Sequence, residues 1–209
     1  MKEQLKFLFV IAIYILTIPS IFAQSKEAPT VESTAVKLSD NALKVRPFSP
    51  VVGHMGISYE FLVADRQSFE LDLGYIGLGQ PYEEDAEEKG IYLGFGCRFI
   101  RHSGNSKKKD QVNQPLQGWY LNPKLILSSF SRRDRERSYL EESIFSGAIL
   151  LNGGQQWIFF NRVVLDIFAG AGLGLSSYDD YFFGRYFYGY SLIGKHFAIS
   201  TGIKLGIAF

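Results

Sequence analysis

The sequence predicts an all-β protein: a closed antiparallel transmembrane β-barrel of about eight strands. Three observations predict it. The chain combines 21 glycines with 18 Phe and 12 Tyr residues; glycine weakens helices and aromatic residues favour strands. Hydrophobicity alternates with a period of two over one segment after another, as on strands with one apolar face. Beyond the first two dozen residues, no stretch is apolar for long enough to make a membrane helix. A closed barrel is then the remaining way to satisfy backbone hydrogen bonds in lipid.

The beginning of the chain indicates export. Lys2 and Lys6 (diluted by Glu3) give a basic start to an almost wholly apolar run from Leu5 to Ile18, broken by Pro19-Ser20 and followed by Ile21-Phe22-Ala23. These are the three parts of a secretory signal peptide, predicted here at 1–23. The apolar core is short for a bilayer span of roughly 20 residues, which favours cleavage over a retained anchor. Residues 24–41 are polar and aperiodic and read as a flexible periplasmic leader; 42–209 read as the barrel. The expected route is Sec-type export, and the expected destination the bacterial outer membrane.

The last segment carries the pattern most clearly. Phe197, Ile199, Thr201, Ile203, Leu205, Ile207 and Phe209 alternate with Ala198, Ser200, Gly202, Lys204, Gly206 and Ala208. Phe209, a terminal aromatic residue, resembles the insertion signal read by the barrel-assembly machinery. Upstream, the same alternation marks Ile57–Val63, Phe69–Tyr75, Ile91–Phe99, Trp119–Leu127 and Val163–Leu175. Ala42–Ser49 and Ser146–Phe160 alternate less cleanly, and Ala42–Val63 reads either as a hairpin or as one long bulged strand. The count is eight, an even number, as expected for a single-chain barrel. Short turns at Ala64–Ser68 and Phe160–Arg162 fall on the periplasmic side. Longer connections at Gln80–Gly90, Ser131–Ser143 and Ser176–His196 fall outside, and Arg101–Gly118 is an unexpectedly long inner one.

Several short motifs resemble a family of small outer-membrane β-barrels common in Bacteroidetes, which carries a domain of unknown function. They are the Asn41–Pro50 stretch, Tyr59-Glu60, Ser68–Leu71 with Gly74–Gly77, Gly118–Pro123, Asn152–Gln155, and Leu165-Asp166 with Gly170–Gly172. The resemblance implies fold and location and supplies no catalytic residues.

Inward positions carry Glu60, Glu70, Asp72, Arg98, Lys124, Asp166 and Lys204. An eight-stranded barrel is just wide enough for side chains to fill it, so these charges must pair. A salt-bridged plug is the expected result and a small polar pore the alternative. Inward glycines leave room either for water or for neighbouring rings.

The outer connections hold the candidate binding groups. One is the mixed-charge run with Arg132, Arg133, Arg135 and Arg137, whose guanidinium forks suit the phosphates of lipopolysaccharide. The other is an aromatic cluster that includes Tyr181, Phe182, Phe183, Tyr186, Phe187 and Tyr188, placed either in an interfacial girdle or on a surface for a glycan or an envelope protein. The acidic run 83–88 lacks the ligand spacing of a calcium loop.

The remaining composition narrows the chemistry. A net charge of +1 argues against nucleic acid as a partner. Cys97 is the single cysteine, which excludes an intrachain disulfide and cysteine-rich metal sites, and neither metal nor cofactor is expected. The histidines His54, His102 and His196 lack a nucleophile motif nearby, so no catalysis is expected. A lipid-modifying barrel enzyme and a soluble periplasmic ligand-binding barrel are the competing classes.

Overall fold

The computed structural model describes residues 38–78, 86–101, 114–134, 141–177, 185–194 and 196–209. The expected signal peptide and leader residues 24–37 lie outside these. The described chain forms β1 (Asn41–Val45), β2 (His54–Ala64), β3 (Gln67–Ile76), β4 (Ala86–Arg101), β5 (Gly118–Asp134), β6 (Glu141–Phe159), β7 (Val163–Ser176), β8 (Arg185–Tyr186), β9 (Ser191–Ile193) and β10 (Phe197–Ala208). Strands β1 to β7 pair in sequence order, β7 pairs β10, and β10 pairs back to β1. This is a closed antiparallel ring of eight strands. The small β8–β9 hairpin hangs on the upper edge of β10.

The register fixes the shape of the ring. From Ile207, pairing leads to Leu43, Tyr59, Leu71, Phe95, Leu125, Ile149, Leu173 and back to Phe197, ten residues earlier on β10. With a rise of ~3.3 Å per residue and a strand spacing of ~4.8 Å, that stagger tilts the strands by about 41°. Such a tilt is usual for transmembrane barrels.

Alternation places large apolar residues outside and polar or small ones inside. Trp119, Leu121, Leu151 and Ile207 are each more than half exposed, whereas Tyr120, Asn122, Lys124 and Asp166 on the other parity are buried. Strands β2 and β3, of 11 and 10 residues, match the ~9–11 residues that cross a bilayer. Strands β4, β5 and β6 run to 16, 17 and 19 residues and overshoot at the end opposite Phe209. The expected connections over 80–90 and 131–143 are therefore shorter than the sequence suggests. Arg132 and Arg133 lie on β5, facing Glu142 and Glu141 on β6, and are not loop residues.

Local chemistry explains the chain reversals. Ala42–Val63 is a hairpin: Pro47 and Pro50 cannot donate to a ladder, and a 3-10 turn at Ser49–Val52 ends on Gly53 at φ 78°. Phe160 and Asn161 both have positive φ (53° and 58°), the requirement of a two-residue type I′ hairpin turn. This turn, the Asp65–Arg66 turn and Phe209 share one end of the barrel, and Phe209 and Asn41 exchange backbone hydrogen bonds of 2.9 and 3.1 Å.

Inward glycines are seats for rings. A Cβ on Gly74 or Gly56 would run into Tyr92, and one on Gly202 would lie 2.9 Å from Phe168. The large inward side chain of one strand thus lies across the strands beside it, where a larger residue would collide with it.

Candidate functional site

The lumen is built in three layers, and the middle one is ionic. All seven charges expected to point inward do so and are at most 3% exposed. Glu70 on β3 is the hub. Its carboxylate receives Lys44, Lys124 and Lys204 at 2.8 Å each, and Arg98 more closely still. Asp72 receives Lys124 at 2.5 Å, Arg46 at 2.8 Å and Lys204 at 3.3 Å. Glu60 is held by Lys44 at 2.6 Å and Arg98 at 3.4 Å, and accepts from Ser68 at 2.5 Å. Asp166 is held by Arg98 at 2.6 Å and accepts from the Tyr120 hydroxyl at 2.6 Å. Arg98 also lies 4.0 Å from the centroid of the Tyr120 ring.

Four members were not singled out from the sequence: Lys44, Arg46, Tyr120 and Gln156. Lys44 stands between the outward Leu43 and Val45, but the strand is only five residues long and the prolines that follow hide its period. Gln156 accepts from Arg98 at 2.9 Å and donates to Glu60 at 3.1 Å; its strand carries apolar residues on both faces, so no polar stripe marks it. With these included, each of the eight ring strands contributes a side chain to the layer. Every acid in it meets at least two cations, the condition under which buried charge is tolerable.

Above the ionic layer the lumen is plugged by the segment between β8 and β10. Phe187, Tyr188, Tyr190 and Leu192 turn inward and pack with Ile76, Tyr92, Ile126, Phe130 and Ile144. Phe187 and Tyr188 are 2% and 1% exposed. This corrects the expectation that they lie on an outer binding surface or in an interfacial girdle. β9 pairs with the first three residues of β10, beyond the stretch that pairs β1, and a tight turn (Phe187 N–H to Tyr190 C=O, 2.7 Å) joins it to β8. Tyr188 also donates a very short hydrogen bond to Glu88 on β4. Tyr181, Phe182, Phe183, Arg135, Arg137 and His102 lie outside the described residues, as does the side chain of Tyr186.

The opposite mouth is closed by residues 114–117, the described remainder of the long connection before β5. Leu116 packs with Ile100, Tyr120, Ile158, Val164 and Phe168. Gln156 donates to its carbonyl at 3.0 Å, and Gln114 accepts from the Ser39 N–H at 3.0 Å. Residues 114–117 of that connection thus fold back under the barrel.

Of the expected arginines, Arg133 is 60% exposed and pairs with Glu141 at 3.7 Å, and Arg132 lies 4.0 Å from Glu88. His54 is buried, edge-on to the rings of Tyr92 (5.4 Å) and Tyr188 (5.7 Å). His196 is exposed in the turn just before β10. Among the described residues no group of three or more His, Cys, Asp and Glu side chains has a geometry that would hold a metal ion.

No protein-family model matches the chain, and no curated protein does. Among solved structures, the chain is similar to the crystal structure of the N-terminal β-barrel domain of Pseudomonas aeruginosa OprF, with a TM-score of 0.50 and 11% identity. The match covers 83% of this chain and 100% of that one. At this identity the likeness concerns the fold alone, that of a β-barrel domain.

Proposed function

We propose that the protein is a bacterial outer-membrane barrel with a sealed lumen, serving a structural or surface-binding role without catalysis. The observation that carries this reading is the inversion of the molecule: apolar residues clothe the outside and a cross-linked ionic layer fills the inside. A soluble ligand-carrying barrel would need the reverse, and a pore would need an open path through the layer. The OprF likeness supports the same reading at the level of fold. In this orientation the end bearing Phe209 is periplasmic, and the β4–β6 extension stands outside.

The extension is where a partner would bind. Arg133 is exposed there, and the sequence that follows adds Arg135 and Arg137. Lipopolysaccharide phosphates are the partner chemistry such a run suits; a glycan or an envelope protein is the alternative. The first test is fractionation with gel migration. The protein should sediment with outer membranes and shift mobility on heating, and recovery from the soluble periplasm would refute the assignment. The second is conductance: reconstituted protein should leave planar bilayers silent, and steady channels of reproducible size would replace the sealed barrel with a pore.

A further inference from the structure

The wall of the barrel is broken between β4 and β5. Their pairing runs from Ala86↔Asp134 to Gly96↔Lys124 and resumes at Phe99↔Leu121, skipping Cys97 and Arg98. The counterparts of these two by register are Pro123 and Asn122. A single missing bond accounts for the break: the Pro123 nitrogen carries no hydrogen, so it donates nothing to the Cys97 carbonyl. On its other side Pro123 keeps register with Leu151 on β6. Pro123 stands midway along the outward apolar run from Trp119 to Leu127, and proline is out of place in a strand paired on both sides. With lipid outside, the Cys97 carbonyl has no bulk solvent to turn to.

Two buried polar atoms lie on the lumen side of the same break. Asn122 and Arg98 face inward and are each 1% exposed. Asn122 Oδ1 lies over Gly96, where a Cβ would collide with it. Among the described residues, neither this oxygen nor Arg98 Nε has a hydrogen-bond partner. The other edge of Arg98 is fully engaged, its terminal nitrogens donating to Gln156, Glu70 and Asp166. Asn152, which pairs with Asn122 across β6, has its own Oδ1 engaged by Ser200. Buried polar atoms are as a rule satisfied, by protein groups or by ordered water.

We propose that the β4–β5 break is a seat for one water molecule, held by Arg98 Nε, Asn122 Oδ1 and the Cys97 carbonyl. The first of these groups is a donor and the other two are acceptors. They call for a ligand that accepts once and donates twice. Water meets that demand and is small enough for the wall of a sheet. Ammonium cannot accept from the Nε–H, and a carboxylate or phosphate ion cannot donate to both oxygens. Three hydrogen bonds are also the number typical of a buried water. Pro123 makes the seat by withholding its bond, and Asn122 lines it. The water in turn fixes the Nε edge of the guanidinium whose opposite edge holds the ionic layer, so the seat positions Arg98 from the wall. The inference uses the outer-membrane reading only for the lipid on the outer side of the wall. Fractionation tests that reading, and the seat is read by a different signal.

The test is nuclear magnetic resonance of isotope-labelled protein folded in detergent micelles, observed at the Arg98 Nε–H. A long-lived water should give that proton a direct dipolar cross-peak, opposite in sign to chemical exchange in a rotating-frame experiment. Asn122→Leu, which removes the acceptor at similar volume, should abolish the cross-peak. If that variant does not give heat-modifiable protein, Pro123→Ala takes its place: it restores the N–H to the Cys97 carbonyl, draws the strands together and should abolish the cross-peak too. Absence of the cross-peak from the unsubstituted protein overturns the proposal. So does a cross-peak that persists in the variant that folds. A crystal structure in which Arg98 Nε donates directly to Asn122 Oδ1, with no water between them, overturns it as well.

Discussion

Replacing Glu70 by Gln keeps the shape of the hub and removes its charge. Three of its cations sit at 2.8 Å and Arg98 closer. At an effective dielectric of about 20, a unit pair at that distance is worth about 6 kcal/mol before desolvation. Desolvation of the carboxylate and its repulsion by Glu60, Asp72 and Asp166 cancel much of the gross attraction. Breaking a single buried pair costs about 3–5 kcal/mol net; with four cations left around a neutral amide, Glu70→Gln should reach the top of that range or pass it. The measurement is urea unfolding in lipid vesicles, followed by tryptophan fluorescence and by gel mobility without heating. Glu60→Gln, which strips an acid with two cationic partners, is expected to cost less. Adding Lys204→Gln to Glu70→Gln should recover part of the loss, giving a coupling energy of about 0.5–3 kcal/mol in a double-mutant cycle. A Glu70→Gln cost under about 1 kcal/mol, or no coupling to Lys204, would refute the hub.

Other outcomes follow from the same geometry. Gly74→Ala should destabilise by about 1–3 kcal/mol through overpacking against Tyr92, and Tyr92→Leu should relieve most of it in the same unfolding assay. Replacing Phe187–Leu192 by a Gly-Ser linker should leave planar bilayers silent, because the ionic layer and the lower cluster around Leu116 still fill the lumen; conductance after that change would show that these two layers do not seal it. Arg133→Ala should change stability by less than about 1 kcal/mol, as both members of its ion pair are more than half exposed. If lipopolysaccharide is the partner, the same variant should weaken capture, and the wild-type capture should fall as salt rises.

Much of this architecture was legible because the belt imposes a strict rule. Where the outside must be apolar and the inside is lined by charge, as along Phe197–Phe209, alternation is unambiguous and even the individual inward charges can be named. The rule lapses where its cause does. Above the belt both faces of β5 and β6 are polar, so Arg132 and Arg133 look like loop residues although they pair across strands with Glu142 and Glu141. Around Ala148 and Leu150 both faces are apolar, because the plug inside makes its own oily lining, and the period blurs again. Phe187 and Tyr188 were misplaced for a topological reason. Nothing in a run of aromatic residues after a strand tells whether the chain turns outward into the interface or back into the barrel. Lys44 was hidden by brevity, since five residues followed by Pro47 give too few alternations to trust.

The ionic layer also has a bearing on how the barrel finds its register. Its acids and bases are spread over strands from β1 to β10, the first and last in the ring, so no hairpin or half-barrel can satisfy them. Until β10 brings Lys204 beside β1, the cluster around Glu70 and Asp72 is incomplete. A strand slipped by one residue would turn its charge toward lipid. One slipped by two would keep the charge inside but at the wrong height, facing rings in place of counter-ions. The outer face, a nearly uniform coat of Leu, Ile and Phe, can discriminate neither the two-residue slip nor a barrel that has failed to close. The inner charges discriminate both, so the layer acts as a proofreading device for closure as much as a seal.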